Sequence, residues 1–178
     1  DAIHAAAEPL LAGGLHRVLD LGCSVGVSTQ ALARWLISRA EQRSEPRPDL
    51  IGLDLSPEML SVARVRDPEG LVSEWRQAAA EATGLEGGSI DLISLQFVCH
   101  ELPQAATRAV LQEAARLLRP GGVLVMVDQD PSSSVLQRLP APVATLLKST
   151  EPYIEEYFSL DMAAALGEAG FHDLSISA

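Results

Sequence analysis

The chain has 178 residues and a formal net charge of -11 at neutral pH, with 47% hydrophobic and 21% charged residues. This length and composition are typical of one globular domain with a core of its own. The acidic balance, with 13 Lys and Arg residues, argues against a protein that neutralises the phosphates of DNA or RNA.

The cysteine content bears on the compartment. Cys23 and Cys99 are too few for a disulfide framework, which favours a reducing environment. No apolar run approaches the roughly 20 residues that span a bilayer. The sequence begins at Asp1 without an initiator methionine or a signal-peptide pattern, so we expect a trimmed fragment whose targeting segment is absent.

Apolar runs alternate with segments of helical period along the chain. The runs predict strands at residues 17–21, 50–55, 72–78, 90–97, 123–128 and from 171 onward. The segments between them predict helices at residues 2–11, 28–40, 104–118, 135–147 and 160–169, and a further helix that starts at Ser56-Pro57-Glu58. Breaks are predicted at the charged loop 41–49, the turns 67–70, 87–88 and 119–122, and the polar linker through Tyr153. Because no repeat or domain boundary interrupts the pattern, we predict one domain over 1–178.

This alternation predicts an α/β fold with a doubly wound, mostly parallel sheet and helices on both faces. In such sheets ligands bind beyond the carboxyl ends of the strands, near the point where strand order reverses. The segments that follow the strands are therefore the candidate site: 22–26, 54–56, 78–81, 96–101 and 128–131.

The stretch VLDLGCSVGVSTQ, residues 18–30, has two incompatible interpretations. Its G-x-S-x-G pattern fits the nucleophile elbow of α/β-hydrolases, with Ser24 as nucleophile and Asp128 and His172 as partners. Against this, the turn follows the first strand, His172 lies inside a strand pattern, and no HGGG-like oxyanion segment is present. A plain tight turn without a ligand is a further alternative.

The second interpretation is a strand, a glycine-rich loop and a helix that together hold a nucleotide-like cofactor. Asp54 at the end of the second strand is placed to accept hydrogen bonds from both ribose hydroxyls. Asp20, two residues before Gly22, is in a position to hold a cationic or amino-bearing ligand. A dinucleotide has little use for such an acid.

These residues resemble a known family. The stretch DLGCSVG, residues 20–26, is similar to the first motif of class I S-adenosylmethionine-dependent methyltransferases, D/E-x-G-x-G-x-G, with Ser24 in place of the middle glycine. Asp54, GGSIDLI at 87–93 and LRPGG at 118–122 match later motifs in order. FVCHELPQA and KSTEPYIEEYF resemble a plant and algal branch of the ubiquinone/menaquinone-type methyltransferases.

The resemblance implies S-adenosyl-L-methionine as cofactor, a Rossmann-like methyltransferase fold and methyl transfer to a small-molecule acceptor. The cofactor-binding residues expected from it are Asp20, Gly22, Cys23, Ser24, Gly26, Asp54, Leu55, Ala80, Glu81, Gln96 and Phe97. For an acceptor that is protonated at neutral pH we expect His100 as base, with Glu101 orienting it or the substrate. A metal on His100, Glu101, Asp128 and Asp130 is conceivable, but no ligand spacing requires one, and none is predicted.

Two departures from the family pattern leave alternatives open. Ala79 stands where an acid or amide often contacts adenine, so that contact falls to the Ala80 backbone, Glu81 or water. The family's sheet ends in an antiparallel hairpin, and one strand of it, through Ile176, is expected in this sequence. A methyltransferase-like scaffold without activity is therefore the alternative function. The atom that accepts the methyl group is open, as is a protein partner, and the resemblance makes chloroplast or cytoplasm the expected location.

Overall fold

The computed structural model describes residues 2–12 and 14–175. Within this part of the chain a five-stranded, all-parallel sheet has the order β3-β2-β1-β4-β5. The strands are β1 (Arg17–Leu21), β2 (Asp49–Asp54), β3 (Glu74–Gln77), β4 (Ile90–Gln96) and β5 (Leu118–Val127). The strand order reverses between β1 and β4, so the doubly wound topology predicted from the sequence is confirmed.

Helices cover both faces of the sheet. They are α1 (Ala2–Ala12), α2 (Val27–Arg43), α3 (Pro57–Arg66), α4 (Gln104–Leu117), α5 (Ser134–Gln137), α6 (Ala141–Thr150), α7 (Ile154–Ser159) and α8 (Met162–Ala169), with a 3₁₀ helix at Cys99–Glu101. No helix of residues 2–12 and 14–175 has the length and apolar character to cross a bilayer.

Alternate residues of each strand enter two separate cores, because successive side chains point to opposite faces. Val18 and Leu92 pack with α1 and α2, whereas Leu19 and Ile93 pack with α4 and α8. All four side chains are fully buried. The carboxyl ends of β1 and β4 are thus held from both faces, which fixes the loops that follow them.

The start of α3, directly after β2, is the one that the sequence predicts. Ser56 caps α3, its hydroxyl accepting the Met59 N–H at 3.2 Å, and Pro57 occupies the first helical turn. The second helix is longer than predicted. It runs three residues into the expected charged loop, through Arg43, and Ser44 caps its end in a left-handed conformation with a φ of 55°.

The turn predicted at 119–122 lies inside β5, where it forms a bulge. Ile90 pairs with Leu118 and Leu92 with Val123, so the residues between them on β5 are extra. Gly121, at a φ of 79°, supplies the left-handed residue. The extended pairing on either side explains why the strand continues through a turn-like sequence.

Three expectations for the last third of the chain were wrong. The helix predicted at 135–147 is two helices separated at Pro140, because proline lacks the N–H that continues a helix and restrains the residue before it. The helix α7 falls within a segment for which no helix was predicted. Residues 171–175 form no strand, and Asp173 has a φ of 57°, which breaks an extended run. Ile176 lies outside the described residues.

Gly52 lies in the centre of β2, where a larger residue is expected to destabilise the fold. A Cβ there would stand 2.6 Å from the ring of Trp75. We expect Gly52→Ala to lower the free energy of unfolding by about 1–3 kcal/mol, as overpacking does. Gly167 in α8 has open space around it, so Gly167→Ala is the matched control and should be neutral or stabilising by about 0.5–1 kcal/mol. Urea titration checks both, and a Gly52→Ala midpoint at or above that of the wild type would contradict the packing argument.

Candidate active site at the carboxyl ends of the strands

The loop after β1, residues 22–26, turns sharply and lies between the end of β2 and the segment after β4. Gly22, Ser24 and Gly26 have φ values of 74°, 48° and 75°, all in the left-handed region. The N–H groups of Gly22 and Cys23 both donate to the Leu53 carbonyl oxygen, at 2.8 and 3.0 Å. A Cβ on Gly22 would lie 2.4 Å from the Val98 side chain, so glycine is required there. The loop is therefore fixed against β2 on one side and the segment after β4 on the other.

Asp54 connects this loop to the start of α3. Its carboxylate accepts the Ser24 N–H at 2.7 Å and the Ser56 N–H at 2.9 Å. The side chain is half-buried and lies at the carboxyl end of β2, beside exposed Leu55. The sequence predicted an acid next to the glycine-rich loop, and the structure brings the two together.

Asp20 lies beneath the first turn of α2. Its residue is 2% exposed, and its carboxylate accepts the Thr29 hydroxyl at 2.6 Å and the Ser28 hydroxyl at 3.5 Å. Burial raises the pKa of this carboxyl above its ordinary value, although the hydroxyl hydrogen bonds oppose that shift. In this structure Asp20 fixes α2 to β1, and its contact with an amine group stays a prediction.

The segment after β4 completes the same edge. Gln96 donates from Nε2 to the Ser94 hydroxyl at 2.9 Å. Phe97 has a φ of 55° and is 55% exposed, an unusual conformation for an aromatic residue at the end of a strand. A cavity of about 270 Å³ lies next to Gln96, and α1 and α2 line its other sides through Ile3, His4, Ser28, Ala31 and Leu32. The contribution of α1 was missed in the sequence, because nothing in its pattern specifies that it packs over β4 and β5.

The predicted adenine region forms a tight turn after β3. Ala79 and Ala82 form an antiparallel bridge, and the Ala82 N–H donates to the Ala79 carbonyl oxygen at 3.1 Å. Ala80 and Glu81 lie at the tip of this turn, half-buried and exposed respectively. Their backbone is on the same edge of the sheet as Asp54, which agrees with the place predicted for them.

His100 and Asp128 form a buried pair beside this edge. The Nδ1 atom of His100 lies 2.6 Å from a carboxylate oxygen of Asp128, and the two side chains are 7% and 6% exposed. Asp128 also accepts the Cys99 N–H at 3.0 Å and the Gln129 N–H at 2.8 Å. With Nδ1 donating to this carboxylate, Nε2 carries the free lone pair. The contact that orients His100 comes from Asp128, whereas Glu101 is exposed on the 3₁₀ helix.

Tyr157 was missed in the sequence because α7 was not predicted. Its ring meets the His100 ring edge-on at 6.3 Å between centroids, and its hydroxyl donates to the Gln129 carbonyl oxygen at 3.0 Å. Burial, and then the nearby Asp128 carboxylate, raise the pKa of this phenol. The hydroxyl is thus a neutral donor that fixes α7 over the His100–Asp128 pair.

Both cysteines are buried and inert in character. Burial is the main cause that raises the pKa of the Cys99 thiol to about 12, and it also raises the pKa of Cys23. Cys23 follows Gly22 in the loop and is 3% exposed. Its position before α2 therefore does not produce a reactive thiolate.

A recess of about 450 Å³ lies at the opposite, amino-terminal edge of the sheet, lined in part by His16, Arg17, Asp91 and Arg119. Its central group is Asp91, which accepts the N–H groups of His16 and Arg17 at 2.8 and 2.6 Å and is bonded to Arg119. The hydrogen-bonding capacity of Asp91 is thus used by groups of the chain itself. In open α/β sheets ligands bind at the carboxyl ends of the strands, on the opposite edge. We therefore place the site at the carboxyl ends of the strands.

The hydrolase triad is not assembled. Asp128 is bonded to His100 and not to His172, which is exposed after α8, and the Ser24 N–H is bonded to Asp54. We expect a fluorophosphonate probe to leave Ser24 unlabelled under conditions that label a serine protease completely. Mass spectrometry of the treated protein checks this, and a phosphonylated Ser24 would contradict the assignment of the loop.

Comparison with known proteins identifies the family to which the chain belongs. A family model described as a methyltransferase domain matches residues 18–122, more than half of the chain. The chain belongs to the methyltransferase domain family. The predicted membership of the class I S-adenosylmethionine-dependent methyltransferases is thereby confirmed.

The relatives of this methyltransferase domain include methyltransferases whose names contain a small molecule, trans-aconitate or ubiquinone. It is 37% identical over 135 residues to trans-aconitate 2-methyltransferase of Azoarcus sp., which covers 73% of this chain and 47% of that protein. It is 29% identical over 160 residues to a ubiquinone biosynthesis O-methyltransferase of Xanthomonas axonopodis, covering 86% and 62%. The chain therefore spans about half to two thirds of the length of these curated relatives. Both are bacterial, and the resemblance to a plant and algal branch stays a prediction.

A solved structure shares the fold. The S-adenosylmethionine-dependent methyltransferase from Mesorhizobium loti is 26% identical, with a TM-score of 0.52 over 71% of this chain and 55% of that one. The Rossmann-like methyltransferase fold predicted for this domain is confirmed by its sheet order and by this similarity.

Proposed function

We propose that this domain binds S-adenosyl-L-methionine across the β1–β4 edge and transfers its methyl group to a small-molecule acceptor. The observation that carries the proposal is the joint placement of the Gly22–Gly26 loop and Asp54, which are connected by the 2.7 Å hydrogen bond from the Ser24 N–H. Glycine at position 22 lets the loop lie against the segment after β4, because a Cβ there would stand 2.4 Å from the Val98 side chain. These residues fit the cofactor of the family.

Each part of this edge has a distinct binding role in the proposal. Asp54 accepts hydrogen bonds from the ribose hydroxyls, with Leu55 against the ring, and the turn at Ala80 and Glu81 borders adenine. The loop from Gly22 to Gly26, including Cys23 and Ser24, follows the backbone of the ligand. Gln96 and Phe97 border its sulfonium end. Asp20 acts from beneath, by fixing the Ser28 and Thr29 hydroxyls that open α2.

The bound cofactor supplies an electrophilic methyl group on a sulfonium, which reacts in line with a nucleophile. The chain must hold acceptor and donor in that alignment and exclude water, a contribution of up to about 7–11 kcal/mol. The cavity beside Gln96 has a mainly apolar lining from α1 and α2, which suits a small acceptor with apolar parts. In the proposal the ring of Phe97, which is exposed at the same edge, covers the bound acceptor.

His100 is the proposed base for an acceptor that carries a proton. Asp128 holds the ring through Nδ1, which leaves the Nε2 lone pair to accept that proton and stabilises the imidazolium that results. Glu101 is proposed to orient the acceptor, because its exposed carboxylate lies near the His100 ring. An ionised carbon or thiol acceptor carries no proton to remove. It would need only to be aligned with the methyl group, without a base.

The family model ends at Gly122, and we propose that residues 1–178 form one domain. Packing supports this, because Ala165 of α8 belongs to the same buried cluster as Ile93 of β4 and Val110 of α4. For the location we propose a chloroplast or the cytoplasm, because the family resemblance suggests these two and the two free, buried cysteines agree with a reducing compartment. Tagged full-length protein viewed in cells would test that location.

The acceptor is found by incubating the purified domain with cell extract and S-adenosylmethionine labelled in the methyl group. A labelled small molecule, absent when Asp54→Ala protein is used, supports the proposal and identifies the acceptor. Cofactor binding without transfer to any compound would favour the alternative of an inactive scaffold. Protein that neither binds the cofactor nor transfers a methyl group would contradict the proposal and leave only the inactive scaffold.

A further inference from the structure

Three metal-ligating side chains converge beside the His100–Asp128 pair. A ring nitrogen of His100 and a carboxylate oxygen from each of Glu101 and Glu151 lie within 4.8 Å of one another. Within residues 2–12 and 14–175, neither carboxylate has a hydrogen-bond or ion-pair partner. The two acids and the imidazole therefore lie close together, and no Lys or Arg of the described residues forms an ion pair with either acid.

His100 is the buried member of this cluster and is fixed in orientation. Its Nδ1 atom lies 2.6 Å from Asp128, and the side chain is 7% exposed. The other ring nitrogen, Nε2, has no hydrogen-bond partner in the described part of the chain. A histidine whose one nitrogen donates to a carboxylate while the other is free is the arrangement found at metal ligands, where the carboxylate fixes the ring and raises its basicity.

The backbones that carry the two acids are also fixed. Glu101 ends the 3₁₀ helix, and its N–H donates to the Val98 carbonyl oxygen at 3.1 Å. Glu151 follows α6: its N–H donates to the Leu147 carbonyl oxygen at 3.0 Å, and its own carbonyl oxygen accepts the Ile154 N–H at 3.2 Å. Tyr157 on α7 packs against the His100 ring, which keeps this turn over the 3₁₀ helix.

We propose that His100, Glu101 and Glu151 bind one divalent transition-metal ion, Mn²⁺ or Zn²⁺. One imidazole and two carboxylates are ligands that these ions accept, whereas Mg²⁺ and Ca²⁺ prefer oxygen alone. Metal–ligand bonds of about 2.0–2.2 Å place the ligand atoms of one ion about 3–3.5 Å apart. Rotation of the exposed Glu101 and half-buried Glu151 side chains closes the present separation to that range.

The ion also changes what His100 does. A metal on Nε2 occupies the lone pair that proton transfer needs, so the metal-bound and proton-accepting forms of this residue exclude each other. The metal site stands on its own observations and does not depend on the proposed methyl transfer.

The site is tested by titration of the protein with Mn²⁺. Binding is measured as a decrease in the electron paramagnetic resonance signal of the free ion. We expect the unmodified protein to bind one Mn²⁺ per chain and Zn²⁺ to displace it. Glu101→Gln and Glu151→Gln should each weaken binding at least about tenfold, and Asp128→Asn by about 10–100-fold through the fixed ring. Both glutamates are accessible, so these variants should fold as the wild type does.

The matched control is Glu155→Gln, on the same segment, whose carboxylate is bonded to Lys148. It should bind Mn²⁺ as the wild type does. Wild-type protein that binds neither Mn²⁺ nor Zn²⁺ at 1:1 stoichiometry would overturn the proposal. So would a Glu151→Gln variant with unchanged affinity, since that acid is the one contributed by a distant part of the chain. Binding of S-adenosylmethionine is measured separately, so that failure of the metal site and failure of the proposed function are distinguishable.

Discussion

Replacement of His100 with alanine is expected to lower turnover on a protonated acceptor by about 10²–10⁴-fold, the usual contribution of a general base. Cofactor affinity should change little, because the proposed cofactor contacts lie on the loops after β1, β2 and β3 and at Gln96 and Phe97, and do not include His100. The pair with Asp128 at 2.6 Å is the physical reason for the assignment, since it directs the free lone pair to Nε2.

His172→Ala is the control for this experiment, because His172 is an exposed histidine after α8. It should retain wild-type turnover. Because His100 is buried, a thermal melt must show that the His100→Ala variant is folded, and Asp128→Asn provides a second route to the same loss. Assays in the presence of a chelator keep Nε2 free of metal. Equal turnover of wild type and folded His100→Ala on a verified acceptor would contradict the assignment of His100 as base. Catalysis would then rest on the alignment of acceptor and methyl group alone.

Asp54→Ala should weaken S-adenosylmethionine binding by about tenfold or more. Hydrogen bonds to a charged group contribute about 1.5–3 kcal/mol each, and about 1.4 kcal/mol is a factor of ten in affinity. The change also removes the acceptor for the Ser24 and Ser56 N–H groups, which loosens both loops. Calorimetric titration measures the effect directly.

Asp49 provides the matched control for Asp54, since it is an exposed acid at the opposite end of the same strand. Asp49→Ala should bind the cofactor with wild-type affinity. If folded Asp54→Ala protein also binds with wild-type affinity, Asp54 is a structural link between the loops and does not contact the ribose.

Local patterns in the sequence predicted the parts of the site that local interactions determine. The strand before Gly22, the acid after β2 and the Ser56 cap follow from apolar runs and turn chemistry within a few residues. The pairing of His100 with Asp128 could not be predicted in the same way, although both residues were candidates. It depends on the register of β4 against β5, where Gln96 lies opposite Val127.

The parts that were not predicted depend on long-range packing. Helix α7 spans six residues, too short for a helical period to show, and it is stabilised by Tyr157 and Ile154 against the body of the domain. Through that contact Glu151 reaches His100, which no spacing in the sequence indicates. The break between α5 and α6 at Pro140 could have been predicted, because proline restrains the residue before it. The helical spacing of apolar residues on either side favoured one continuous helix instead.

The central claim is that the edge formed by the loops after β1, β2 and β4 binds S-adenosylmethionine. Isothermal titration of the purified domain with the demethylated product, S-adenosylhomocysteine, tests it without any knowledge of the acceptor. The account predicts one molecule bound per chain, with a dissociation constant below about 1 mM, the upper end of the usual range for enzyme substrates. Folded protein that binds neither this product nor S-adenosylmethionine at that concentration would contradict it.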